Sequence, residues 1–412
     1  MVLKNEPRLM SNIPLLKMIG FYQILNSRNP IVFGCNIFKC IAIIEACILI
    51  AAVFAFILNA FYFLSDINEG TKYFTMGVMA VIASCKLCYI IGYSDTIWNC
   101  LHITSVEYLS YKYHSRCMID VGRQKLKSFL IISIVVWTTA SAGWTLTPFI
   151  IQSSYLRVEV NNEIYHYRTN ILNIVYPATD TFYNDHFIMF FVIEFIIPVV
   201  FTHSTLMFDI LLISTCSTIA CHLKTIANSF STLGNAENHL MIRHDETKTL
   251  KKFKFIIQDQ QKVIENMKNI YKVIRPVILL QIAATSSIII LLSSMTIMNY
   301  FNGLSLVSPL NFKFISTILT YAMHMYFICY LLNDINEQID SLNFALYSGD
   351  WTSKSLKYKK MILLAMRMNS ANRLKMQVTM TRIVNLEMFA GVMRTTYSIT
   401  SVFSDQCAKN KI

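Results

Sequence analysis

Lysine and arginine sort almost entirely to one side of seven long apolar segments in this chain. The segments run over 41–64, 73–92, 128–151, 187–216, 276–299, 312–332 and 384–403, each close to the ~20 residues that cross a bilayer as a helix. The N-terminal flank and the second, fourth and sixth connections carry 5, 5, 10 and 8 Lys or Arg, 28 together. The first, third and fifth connections and the C-terminal tail carry 1, 2, 0 and 2, with only Lys86, Lys313 and Arg394 inside the segments. Basic flanks stay on the cytoplasmic side. The pattern predicts an all-α membrane protein of seven transmembrane helices with an intracellular N-terminus and an extracellular C-terminus.

Composition agrees with that class. A chain of 412 residues that is 54% hydrophobic with mean hydropathy +0.46 has too little polar surface to cover a soluble globule. The net charge of +12 belongs to span flanks, where it serves topology and attraction to anionic lipid, so no nucleic-acid partner is expected. The first apolar run begins behind forty mixed residues bearing Lys4, Arg8, Lys17, Arg28 and Lys39. That is too late for a cleaved signal, and the first span itself is expected to direct insertion.

Of the eleven cysteines only Cys407 falls on the outer side, which leaves no external disulfide framework. Cys85 and Cys88 form a CxxC within a span, without a second pair, and read as helix-packing residues. No phosphate loop, HExxH, GxSxG or dinucleotide fingerprint is present. No enzyme, metal or cofactor is expected.

The expected organisation is a cytoplasmic segment 1–40, helices one to five over 41–299 with a long cytoplasmic connection 217–275, helices six and seven over 300–403 with a cytoplasmic anchor connection 333–383, and an extracellular tail 404–412. The connection between the third and fourth spans, rich in Tyr, Asn and the acids Glu159, Glu163, Asp180 and Asp185, is expected to lid whatever opens outward. Pro198 in the long fourth segment predicts tilt or a kink. Two amphipathic stretches flank later spans: Phe253 to Tyr271 among five lysines, and Met361 to Met368 with Lys359, Lys360 and Arg367. They form either membrane-surface helices or a cytoplasmic bundle, and their pairing at neighbouring span ends favours the bundle.

Ionisable groups inside a membrane are costly and are read as functional unless paired. Glu45 lies one turn into the first span and reads as structural, reaching toward Lys39. Lys86 and His203 lie deeper and are candidates for a polar network. Glu194 is either a ligand contact or an internal hydrogen-bonding group. Aromatic and Met residues crowd the outer halves of four spans, which suits a cavity for small apolar ligands. The candidate pocket residues are Tyr73, Met76, Trp144, Phe191, Glu194, Tyr321 and His324, with ordinary helix packing as the competing reading for each.

The C-terminal quarter carries a signature. Cys329-Tyr330 leads to Ser341, Ala345-Leu346-Tyr347, Trp351, Leu363-Leu364, Arg367, Asn385-Leu386-Glu387-Met388-Phe389 and finally Met393-Arg394-Thr395-Thr396-Tyr397-Ser398. This order and spacing resemble those of the insect odorant receptors, and the inverted seven-span plan extends the resemblance over the whole chain. Gln260 stands where that family often has His, no Lys-Pro follows Arg367, and Ile399 replaces the usual aromatic. These departures point to a divergent ligand-tuning subunit rather than the shared coreceptor. Gustatory receptors share the topology, but Phe403 stands where their Gln falls.

The resemblance implies a subunit of a tetrameric, odorant-gated, nonselective cation channel, assembled with the coreceptor in the plasma membrane of olfactory neurons. It implies a pore along the last span (Tyr397, Ser401, Val402, Asp405) and an anchor of subunit contacts (Tyr347, Trp351, Leu364, Met366, Phe389). The competing classes are a G-protein-coupled receptor, whose N-terminus would be outside, and a transporter, for which no inverted repeat is visible.

Overall fold

A computed structural model describes residues 13–25, 31–32, 35–64, 66–105, 108–109, 114–150, 155–160, 163–233, 242–352, 354–371, 375, 377 and 382–409. Lys4, Arg8, Arg28, Arg373 and the side chains of Cys407 and the hairpin acids Glu159 and Glu163 lie outside the described residues. Two short helices, α1 (Ile13–Met18) and α2 (Phe21–Leu25), and a minimal antiparallel pair, β1 (Ile31–Val32) with β2 (Cys35–Asn36), precede the bundle. The bundle begins with α3 (Ile37–Tyr62), α4 (Ile67–Gly92) and the short α5 (Ser94–Cys100). It continues with α6 (Arg116–Ile150), an antiparallel hairpin of β3 (Tyr155–Val160) and β4 (Glu163–Arg168), and the short α7 (Asp180–Asp185). The remaining helices are α8 (Phe187–Ser231), α9 (Ile242–Phe301), α10 (Pro309–Ser348), α11 (Leu356–Ala371) and α12 (Leu386–Lys409).

Six described helices, α3, α4, α6, α8, α9 and α10, are long and apolar enough to cross a membrane. The seventh expected segment is α12, which lies beside α9 and α10 and is not among these six. At 1.5 Å per residue, the 45 residues of α8 and the 60 of α9 reach well past a hydrocarbon layer of ~30 Å. The apolar face of 253–270 therefore needs a protein partner, and it has one. Phe253 meets Phe230 of α8 and Tyr358 of α11 at ring separations of 5.9 and 5.5 Å, and Ile256, Val263, Met267 and Ile270 are buried in the main core.

Helix starts follow local chemistry. Asp66 caps α4 by accepting from Asn68 and Glu69 amides, Asn36 caps α3, and Ser308 caps α10 just before Pro309. Pro198 and Pro276 sit inside continuous helices; Pro276, where the fifth apolar segment begins, does not end α9.

One expectation needs correction. Glu45 does not reach Lys39: six residues apart puts them ~240° apart around a helix. Glu45 instead meets His203 Nδ1 at 3.0 Å, whose Nε2 lies 2.8 Å from Ile19 O, while Lys39 donates to Ser94 at 2.8 Å. The segment 1–40 contributes Phe21, Ile24 and Leu25 to the main core. At the other end of the chain α12 runs on to Lys409 and carries Asp405.

Candidate functional site

A cavity of about 100 Å³ lies in one half of the bundle, between α3, α4, α6, α8 and α10. Met76, Met79 and Ala80 come from α4, Trp137 and Trp144 from α6, Pro198 and Phe201 from α8, and Tyr321 from α10. Leu49 and Phe56 of α3 and Leu172, from the segment after β4, complete the lining. Most polar atoms on the wall are already engaged: Trp144 Nε1 donates to Thr317 Oγ1 at 2.9 Å, Thr317 to Lys313 O at 2.8 Å, and Thr320 to Ser316 O at 2.9 Å. The hydroxyls of Ser141, Thr202 and Tyr321 are left facing an otherwise apolar space. An apolar volume of this order takes a single small ring; a 150 Å³ cavity admits benzene.

Of the seven candidate pocket residues, Met76, Trp144 and Tyr321 line this cavity. The other four surround it without lining it. Tyr73 is fully buried, stacks on Phe63 at 5.4 Å and donates to Asn173 O; it borders a second, larger apolar cavity of about 670 Å³ between α3, α4 and α9. Phe191 packs edge-on against Phe149 at 5.2 Å. Glu194 is fully buried and accepts three backbone N–H groups, from Leu172, Asn173 and Ile174. Its acceptor capacity is spent on the loop.

His324 belongs to a network beneath the cavity whose centre, Asp209, the reading of the sequence missed. Asp209 Oδ1 accepts from Lys86 Nζ at 3.2 Å and Oδ2 from Trp137 Nε1 at 2.8 Å. His324 Nε2 lies 2.9 Å from the same oxygen, close enough for electrostatic attraction but not aligned as a hydrogen bond. Its Nδ1 is 3.1 Å from Gln281 Nε2, which also reaches Thr285 at 3.1 Å. Five helices are tied together here. Because Trp137 is both cavity wall and Asp209 donor, the network forms the cavity floor.

Below the spans, His114 Nδ1 lies 2.8 Å from Ser229 Oγ and Nε2 3.0 Å from Asp259 Oδ2. The trio has the composition of a hydrolytic triad, but Ser229 sits inside α8 and donates to Thr225 O at 2.9 Å. Through His114 the trio ties α8 to α9. Nearby, burial foremost and then the neighbouring His114 push His222 down to about 4. Among the described residues no group of His, Cys, Asp and Glu could hold a metal ion.

On α12, Gly391, Arg394, Thr395, Ser398, Ser401, Val402 and Asp405 are all exposed. At 100° per residue they fall within about a third of the helix circumference. Tyr397, 75% exposed, stands at its edge. Phe389 is half-buried, edge-on to Tyr326 at 5.6 Å. Elsewhere in the anchor connection, Tyr347 is exposed and supports Trp351, whose Nε1 donates to Tyr347 O at 2.9 Å. Leu364 is 59% exposed, whereas Met366 packs partly against the core.

A family model described as 7tm Odorant receptor matches residues 66–397. Comparison with curated proteins gave no match. Among solved structures, the insect olfactory receptor OR5 from Machilis hrabei aligns at TM-score 0.73 and 14% identity, covering 95% of this chain and 97% of that one. The same receptor in complex with eugenol aligns at 0.73 and 15% identity with equal coverage. At such identity the structures speak for the fold alone, a bundle of long apolar helices, and the family model spans most of the chain. The chain belongs to the 7tm odorant receptor family.

Proposed function

We propose that this receptor is the ligand-tuning subunit of an odorant-gated, nonselective cation channel that assembles with a coreceptor, as a tetramer, in the plasma membrane of olfactory neurons. The observation that carries the channel reading is the exposed polar stripe of α12. A face holding Arg394, Thr395, Ser398 and Asp405 cannot rest against hydrocarbon, because each charge there costs a few kcal/mol even on lenient scales. Water in a shared pore satisfies it. One copy from each subunit around an axis makes a polar conduit with Val402 as an apolar narrowing able to close by dewetting.

Assembly is supported by the apolar residues left uncovered beyond the spans. Phe344, Tyr347, Leu356, Leu363 and Leu364 are 52–75% exposed, in the basic connection assigned to the cytoplasm. Contiguous apolar surface in water marks a protein contact. The ligand reading rests on the cavity: its size and the free hydroxyls of Ser141, Thr202 and Tyr321 suit a small uncharged ring compound with one or two oxygen functions, the class to which eugenol, the methoxyphenol in the Machilis complex, belongs. Ligand opens the channel by binding the open state more tightly.

The test is current from cells expressing this chain with and without a coreceptor, against a broad panel of volatile compounds, with epitope tags reporting topology. Ligand-evoked cation current that requires both chains is expected, with an N-terminal tag reached by antibody only after permeabilisation and a C-terminal tag reached without it. An external N-terminus, or saturable flux without current, overturns the reading.

A further inference from the structure

We propose that Leu172 sets the upper size limit of the ligand, because it lines the cavity from a loop clamped by four helices. The proposal rests on the cavity being the odorant site. Non-helical backbone at membrane depth is tolerated only where its polar groups find partners within the protein. Between β4 and α7 they find them densely. Glu194 on α8 takes the amides of Leu172, Asn173 and Ile174 at 2.6, 3.1 and 3.1 Å. Asn59 on α3 takes the amide of Val175 at 2.8 Å, and Lys313 on α10 donates to Ile171 O at 3.2 Å. Tyr73 on α4 donates to Asn173 O.

Asn173 stands at φ 57, the one non-glycine residue with positive φ among those described. That left-handed residue lets successive amides converge on a single carboxylate, the geometry of an anion nest. Here the anion is the receptor's own Glu194. The backbone is thus fixed on both sides of Leu172, which is 7% exposed and forms cavity wall. A side chain on backbone so constrained cannot withdraw from an oversized ligand, as one on a free loop does. The same clamp explains why Tyr73 and Glu194 lie around the cavity without lining it.

The experiment uses the purified full chain in lipid nanodiscs and the 4-alkylphenols from methyl to hexyl as probes, reading ligand-induced thermal stabilisation, which follows affinity. The wild type is expected to show a chain-length limit. Leu172→Ala should move that limit to longer chains, with affinity for the first excluded member rising about tenfold or more. Leu172→Phe should move it to shorter chains, and the volume-conserving Leu172→Met should leave it in place. Opposite shifts at one position are not produced by loss of structure, which lowers all affinities together. If Met76→Ala moves the limit while neither Leu172→Ala nor Leu172→Phe does, the inference about Leu172 is overturned and the cavity reading stands. If no alkylphenol stabilises the chain, or no substitution at either position moves the limit, both fall.

Discussion

At the scale of single residues, Asp209 is a buried carboxylate shared by Lys86 and Trp137. Breaking a buried ion pair from one side costs roughly 3–5 kcal/mol, because the remaining charge is left uncompensated. The two sides are not equivalent here. Lys86→Met leaves Asp209 with the Trp137 N–H and the nearby His324, whereas Asp209→Leu orphans both Lys86 and Trp137. Surface abundance should therefore fall further for Asp209→Leu than for Lys86→Met, as flow cytometry of tagged receptor will show. Lys86 stands out in the sequence as an intramembrane charge, but its partner lies 123 residues away, inside a long apolar run where one acid breaks no pattern. Glu194 is likewise legible as a buried acid, while its role is not, since backbone amides carry no side-chain signature. His222 yields a second prediction. Its pKa is held at about 4 against an ordinary 6.5, so the unfolded chain binds the proton first as pH falls. Stability present above pH 6.5 is lost between 6.5 and about 4, up to about 3 kcal/mol. Thermal unfolding of purified receptor should drop over that window, and His222→Gln should flatten the slope.

At the scale of elements, length and period carried most of the information. Seven apolar runs announced seven helices, and the spacing of Phe253, Ile256, Val263, Met267 and Ile270 announced the helix that packs below the spans. The lengths were less legible. Hydropathy ends where lipid ends, whereas α8 and α9 continue because their lower halves are buried against other helices. On α11 the two sides of the helix part company. Ile362 is 7% exposed and belongs to the core, while Leu363 and Leu364 are 52% and 59% exposed. Leu364→Glu should consequently leave expression and insertion near wild type, within about 0.5 kcal/mol as for other surface changes, and abolish co-purification with the coreceptor. Ile362→Glu should fail earlier, by loss of folded receptor. Normal assembly of Leu364→Glu would show that α11 lies on lipid or solvent rather than on a subunit.

At the scale of the whole molecule, the charge sorting of the connections and the polar stripe of α12 bear on the same question from opposite ends of the chain. If basic flanks lie in the cytoplasm, α12 runs outward, and Val402 and Asp405 stand near its outer end. Neither residue is held by the rest of the subunit: Val402 is 59% exposed and Asp405 is exposed. Their substitution should cost the fold little, so functional change can be read without a stability confounder. Val402→Ser removes the apolar constriction that favours a dewetted, closed pore, and ligand-free current should rise severalfold in the assembled channel. Asp405→Lys reverses the charge at the outer mouth. A carboxylate there concentrates cations over the ~8–10 Å that salt leaves unscreened at physiological strength. Cation permeability should fall in Asp405→Lys, with the deficit growing as ionic strength is lowered and the screening length extends toward ~30 Å at 0.01 M. A surface charge remote from the conduction path does not alter permeability ratios at any salt concentration. Unchanged leak in Val402→Ser together with salt-independent permeability in Asp405→Lys would remove α12 of this subunit from the pore wall.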